Sequence, residues 1–174
     1  MSRAEGQKGF TLIEALVVMI VGIVILAAAA AGIGKLFRSS EISTEAENIT
    51  QMSATLKNLK NGANGYAGLT NALAVQYKAV PATMTTSTDK DGTKLFNTWN
   101  GPVDIKEANN AQSFQISYGK VPSEACQQLA LKLRNAGWSS LTAGSVQITP
   151  AAGLVDIGKA CASDENTLVF VSSS

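Results

Sequence analysis

Glu14 stands at the head of an apolar run that is otherwise free of charge. From Ala15 to Gly34 the chain carries no charged residue and no proline, and it is dominated by Leu, Ile, Val and Ala. As a helix this stretch spans ~30 Å, enough to cross a bilayer core. A carboxylate held at such a depth costs roughly 2.5–3.5 kcal/mol on insertion scales, so it calls for a partner. A cation ~4 Å away, at an effective dielectric near ~20, attracts it by roughly 4 kcal/mol. Desolvation opposes that gain, so geometry and register decide whether the pair forms.

Other residue types capable of chemistry offer less. The chain has no histidine, which excludes Ser-His-Asp and Cys-His arrangements. Cys126 and Cys161 lack C-x-x-C spacing and have no histidine to join them on a metal. Asp89-Lys90-Asp91-Gly92 begins like a calcium loop but lacks the downstream ligands that end in Glu, and it reads as a solvated turn. Trp99 and Trp138 are expected in core or domain-edge packing rather than as stacking surfaces. Ser172-Ser173-Ser174 reads as an exposed tail. No enzyme activity, metal site or cofactor is expected.

The elements that must position Glu14 follow from periodicity. Phe10 to about Lys60 reads as one long helix, ~75 Å in length, which needs two environments. In its second half Ile42, Ala46, Ile49, Ser53, Leu56 and Leu59 recur at steps of three and four. Glu41, Glu45, Glu47, Lys57 and Lys60 fall between them as a solvated face. Asn61-Gly62 and Asn64-Gly65 supply left-handed stops. A connection runs from Gly62 to Asp91, with a short helix over Thr70–Tyr77 and a Thr/Ser run ending at the Asp91-Gly92 turn.

Strands are expected over Lys94–Trp99 and Val103–Ile105, split by Asn100-Gly101, then over Ser113–Tyr118 with Phe114, Ile116 and Tyr118 on one face. Pro122-Ser123 opens a helix to about Ala136, with Cys126, Leu129, Leu133 and Ala136 along one side and Gly137 ending it. Ser145–Thr149 alternates as a strand. Thr167–Val171 is a continuous apolar run suited to a central strand buried on both faces. The class is α+β: a long N-terminal helix packed on an antiparallel sheet.

Charge excludes some partners. The formal net charge is +1, and without residues 1–9 the basic and acidic side chains balance at 12 each. That balance gives no footprint for nucleic acid and no acidic disordered tail. Arg3 and Lys8 before the apolar run are matched by Lys35 and Arg38 after it, so flanking charge does not set a membrane orientation. A cleaved secretory signal or an ordinary single-pass anchor would also place an apolar run here. The run is too long for a signal core, and Glu14 suits neither.

Lys8-Gly9-Phe10-Thr11-Leu12-Ile13-Glu14 resembles the processing site of type IV prepilins, and the element order resembles the type IV pilin fold along the whole chain. The resemblance implies cleavage after Gly9 by a prepilin peptidase and methylation of the new amine at Phe10. It implies that Glu14 of one subunit meets the Phe10 ammonium of another, so that the acid pins the register of a homopolymer of identical subunits. The C-terminal part, with a Cys-bearing helix after Phe114-Gln115-Ile116-Ser117 and a second cysteine before the last strand, resembles the type IVb branch. The short leader and Phe10 resemble type IVa, whereas Ala31 stands where type IVa pilins have a proline.

The expected division is a leader over residues 1–9, a transmembrane and assembly half of the helix over 10–34, and a periplasmic or extracellular globular domain over 35–174. In an exported domain Cys126 and Cys161 read as a disulfide, which restricts the unfolded chain by roughly 3–4 kcal/mol, against the alternative of two buried thiols. The implied role is the major subunit of a type IV pilus. Implied partners beyond identical subunits and the peptidase are the inner-membrane assembly machinery and, before assembly, inner-membrane lipid. A minor pilin with a tip-binding role and a type II secretion pseudopilin are the alternatives.

Overall fold

The computed structural model describes residues 11–60 and 62–173. Helix α1 runs Leu12–Lys57. Internal contacts divide the chain into two units, the first ending at Ser40 and the second beginning at Glu41. In the first unit the large apolar side chains of α1 are exposed throughout, from Leu12 at 85% to Phe37 at 66%. A helix this long and apolar is able to cross a membrane.

The second unit has its own core. After α1 come a 3₁₀ turn (Gly62–Asn64), α2 (Asn71–Gln76), β1 (Thr85–Asp89), β2 (Gly92–Phe96), β3 (Pro102–Ala108) and β4 (Ser113–Val121). Then follow α3 (Ser123–Leu133), β5 (Trp138–Ala143), β6 (Val146–Gln147), α4 (Leu154–Ala160) and β7 (Asn166–Ser172). The strands form one sheet in the order β1-β2-β3-β4-β7-β5-β6, and every pairing is antiparallel. This is the expected α+β class, with α1 packing its later turns on the sheet's core.

Several local readings hold. Thr70 caps α2, accepting from the Leu73 amide at 3.4 Å. Asp91-Gly92 closes the β1–β2 hairpin, where Asp89 is paired with Gly92. Asp89 is occupied there by the Asp91 amide at 2.9 Å and the Lys94 ammonium at 2.7 Å. Phe114, Ile116 and Tyr118 share the buried face of β4. Trp138 is half-buried, its ring 6.3 Å from Phe114 and 5.2 Å from Phe170. Trp99 is also half-buried against the core.

Others are corrected. The Thr/Ser run of the expected connection is edge strand β1, exposed on both faces and held by its hairpin partner alone. β5 and α4 are elements that periodicity did not reveal, and the Ser145–Thr149 strand shrinks to Val146–Gln147. β7 is central but not dry on both sides. Asn166, Leu168, Phe170 and Ser172 are buried, while Thr167 is exposed and Val169 and Val171 are half-covered. Ser172 belongs to this strand rather than to a tail, and its hydroxyl accepts the Phe114 amide at 3.0 Å.

In α1 the buried seam is Ile42, Glu45, Ile49, Met52 and Leu56, with Asn48 and Ser53 beside it. Ala46 and Leu59 are only half-buried. Glu45, expected on the solvated face, lies in the seam because 42, 45, 49, 52 and 56 form a three-four-three-four repeat through it. α3 ends at Leu133, which leaves Ala136 exposed.

Asparagine amides close gaps in the ladder. β2 and β3 pair directly only at Leu95–Val103 and Phe96–Pro102. Beyond that point the Asn71 amide donates to the Thr93 and Val103 carbonyls at 3.2 Å each and accepts the Ile105 amide at 2.7 Å. One side chain thus satisfies three backbone groups that the splayed strands would leave bare. At the next turn Asn97 donates to the Gly119 carbonyl at 2.9 Å and accepts the Trp99 and Gly101 amides. A Cβ at Gly101 would collide with that same Gly119 carbonyl, so this close approach requires glycine.

Candidate functional site

Gly9 and Phe10, the expected processing and methylation positions, lie outside the described residues. The first described residues already place Glu14. The Thr11 amide donates to Glu14 Oε2 at 3.4 Å, and the Glu14 amide donates to Thr11 Oγ1 at 3.3 Å. This reciprocal pair is a capping box, in which each side chain satisfies an amide that the helix start leaves open. Thr11-Leu12-Ile13-Glu14 is the T-x-x-E pattern of that motif, a signal in the sequence that the reading above passed over. The long contacts and the exposure of Glu14 leave its carboxylate able to turn to a stronger partner.

The surroundings of Glu14 are aliphatic and outward-facing. Ile13, Leu16, Val17 and Val18 are each more than half exposed. Leaving such residues in water forfeits about 1.5–3 kcal/mol apiece relative to burial. The segment is therefore chemically complete only within lipid or against other apolar helices. Its one acid sits at the end where the helix dipole favours negative charge.

In the second unit, Cys126 and Cys161 form a disulfide with a Cα–Cα separation of 5.6 Å, and both residues are wholly buried. Cys126 lies in α3, and Cys161 caps the C-terminus of α4, its amide donating to the Ile157 carbonyl at 2.9 Å. The bond therefore staples α3 to α4, two helices with few other ties. Ser123 Oγ donates to the Cys161 carbonyl at 2.6 Å. The Asn166 amide, buried at the start of β7, donates to the Ser163 and Val121 carbonyls at 2.7 and 3.2 Å. Bond and amides together fix the turn that feeds the central strand.

A family model described as PilS N terminal matches residues 39–173. The chain belongs to the PilS family. The model of the prokaryotic N-terminal methylation motif matches residues 6–30, the segment that contains Gly9, Phe10 and Glu14. The crystal structure of a type IVb pilin from Salmonella typhi is similar at 25% identity and a TM-score of 0.65, over 76% of this chain and 99% of that one. An NMR structure of the type IVb pilin PilS from Salmonella typhi shares the fold, at 23% identity and a TM-score of 0.52, over 76% of this chain and 96% of that one. A search of curated proteins finds no match.

This PilS-family chain is a pilus subunit with a type IVb pilin fold. Its methylation motif implies a prepilin-peptidase substrate that polymerises. Family and fold are structural rather than enzymatic. The type IVb architecture expected from the cysteine-bearing C-terminal part agrees with these structures.

Proposed function

We propose that this chain is the major subunit of a type IV pilus. It is cut after Gly9, methylated at the Phe10 amine, and polymerised with identical subunits into a cell-surface filament. Residues 1–9 are the leader, residues 10–34 hold the precursor in the inner membrane and later pack in the filament, and residues 35–174 are the globular domain beyond the membrane. Inner-membrane assembly machinery extracts the subunit from lipid. The filament serves adhesion, motility, aggregation or DNA transfer, and the subunit itself supplies no catalysis or cofactor.

One observation carries the reading: an exposed aliphatic helix with a single acid at its head, on a subunit whose remaining core is complete. The aliphatic face supplies burial between subunits. Glu14 supplies the charge that meets the Phe10 ammonium of a neighbour and fixes the axial register.

Filaments sheared from cells are the material for the test. An abundant band of processed size, with sequencing that begins at N-methylated Phe10, is the expected result. Cryo-electron microscopy of the same filaments should place Glu14 beside a neighbour's Phe10 amine. Sequencing that begins elsewhere would overturn the processing site. A scarce band among fibres built from another protein would make the chain a minor pilin instead.

A further inference from the structure

Glu45 is 3% exposed, in a helix seam whose other members include Ile42, Ile49, Met52 and Leu56. Its Oε1 accepts the Thr98 amide of the β2–β3 loop at 2.9 Å. Its Oε2 is buried and makes no hydrogen bond of sound geometry, and the Tyr118 hydroxyl of β4 is in the same condition. The two groups still act on one another electrostatically. Glu45 lines a cavity of about 270 Å³ together with Thr44, Asn48, Met84, Asn97 and Thr98, among others. A helix, a loop and the middle of the sheet therefore meet at one carboxyl.

A neutral carboxyl suits this position. It accepts from Thr98 through one oxygen and places no charge in the seam. An ionised carboxyl places a charge among aliphatic side chains, which is costly unless water reaches it. The cavity that Glu45 shares with Thr98 gives water a place beside the carboxyl. We propose that Glu45 is a proton-operated latch on the β2–β3 loop: with the proton bound the loop closes over α1, and its loss admits water beside Thr98.

Burial, the largest influence, pushes the Glu45 carboxyl above the usual carboxylate range, and Glu41 on the preceding turn adds to the rise. The Thr98 amide, the Tyr118 hydroxyl and Asn48 pull it partly back. Burial likewise raises Tyr118 well above the ordinary phenol, with the Glu45 charge contributing. Because the folded carboxyl holds its proton more tightly than the unfolded one, its support is full below the unfolded pKa. That support fades as pH rises through the folded pKa. The latch is closed in acid and loosens as the pH rises through the folded carboxyl's range.

The test uses the full chain in detergent micelles, in a Trp138→Phe background so that Trp99 reports on the loop. Acrylamide quenching of Trp99 is followed from about pH 4 to about pH 8, the range that brackets a raised carboxyl. Quenching should rise with pH in the parent and stay low in Glu45→Gln, which is neutral throughout and keeps an oxygen for Thr98. Tyr118→Phe removes a group that favours the ionised form, so its transition should move to higher pH. Identical profiles for the parent and Glu45→Gln would overturn the latch. If the Gln variant does not fold, Tyr118→Phe decides: an unmoved transition, or none, rejects the proposal.

Discussion

The apolar half of α1 and the core of the globular unit both draw largely on Leu, Ile, Val and Ala, yet they use these residues in opposite ways. In the globular unit Ile49, Leu129, Leu168 and Phe170 are wholly buried. Before Ser40 their counterparts Ile20, Val24 and Leu26 are exposed at 59–70%. One region satisfies its hydrophobic surface by folding and the other by finding a second phase or further helices. Damage to the first should therefore appear as lost stability of the subunit, and damage to the second as lost assembly with the subunit intact.

The largest expected effect tests the second half of that contrast. Glu14→Ala should leave processing and membrane insertion unchanged, because an acid in an apolar helix opposes insertion. Sheared filaments should fall to background, since the neighbour's ammonium would lack its counter-charge in a dry core. Processed subunit and filament are measured separately in the same cells. Normal filament yield would show that apolar packing alone sets the register.

The disulfide tests the first half. Cys126→Ser should destabilise the globular unit by about 2–5 kcal/mol, the usual cost of removing a native bond. Denaturant melting under non-reducing conditions reads this directly, and steady-state subunit levels should fall with it. Free thiols titrated in the unfolded, unreduced parent protein would refute the premise.

A core truncation of comparable size sharpens the contrast. Ile49→Ala should cost about 2–5 kcal/mol by loss of burial and the cavity left behind. The same aliphatic deletion at Ile20, which is 59% exposed, should leave the melting transition within about 0.5 kcal/mol of the parent. Equal losses at both positions would mean that the apolar half is part of the subunit's own core.

The smallest effect separates the two uses of Glu14. Thr11→Ala removes one arm of the capping box but keeps the carboxylate, and losing such a cap costs about 0.5–2 kcal/mol of local helix stability. Filament yield should drop far less than in Glu14→Ala. If the two variants assemble equally poorly, the acid acts mainly as a helix cap, and pairing with the Phe10 amine would be dispensable.

Some of this protein was decided by sequence alone. The uncharged run after Glu14, the T-x-x-E start, the Asp91-Gly92 turn and the alternation of Phe114, Ile116 and Tyr118 are local patterns. Backbone geometry converts them into structure without reference to distant residues. Long-range packing decided the rest. Glu45 looks like a surface acid until the sheet shows which stripe of α1 it covers. The Thr/Ser run becomes β1 only because β2 folds back beside it, and Ser172 is buried because β7 lies between β4 and β5. The α3–α4 staple likewise needed the tertiary structure, since cysteine spacing names the partners but not the elements joined. A side chain's burial depends on what the rest of the chain brings against it, and no local window contains that.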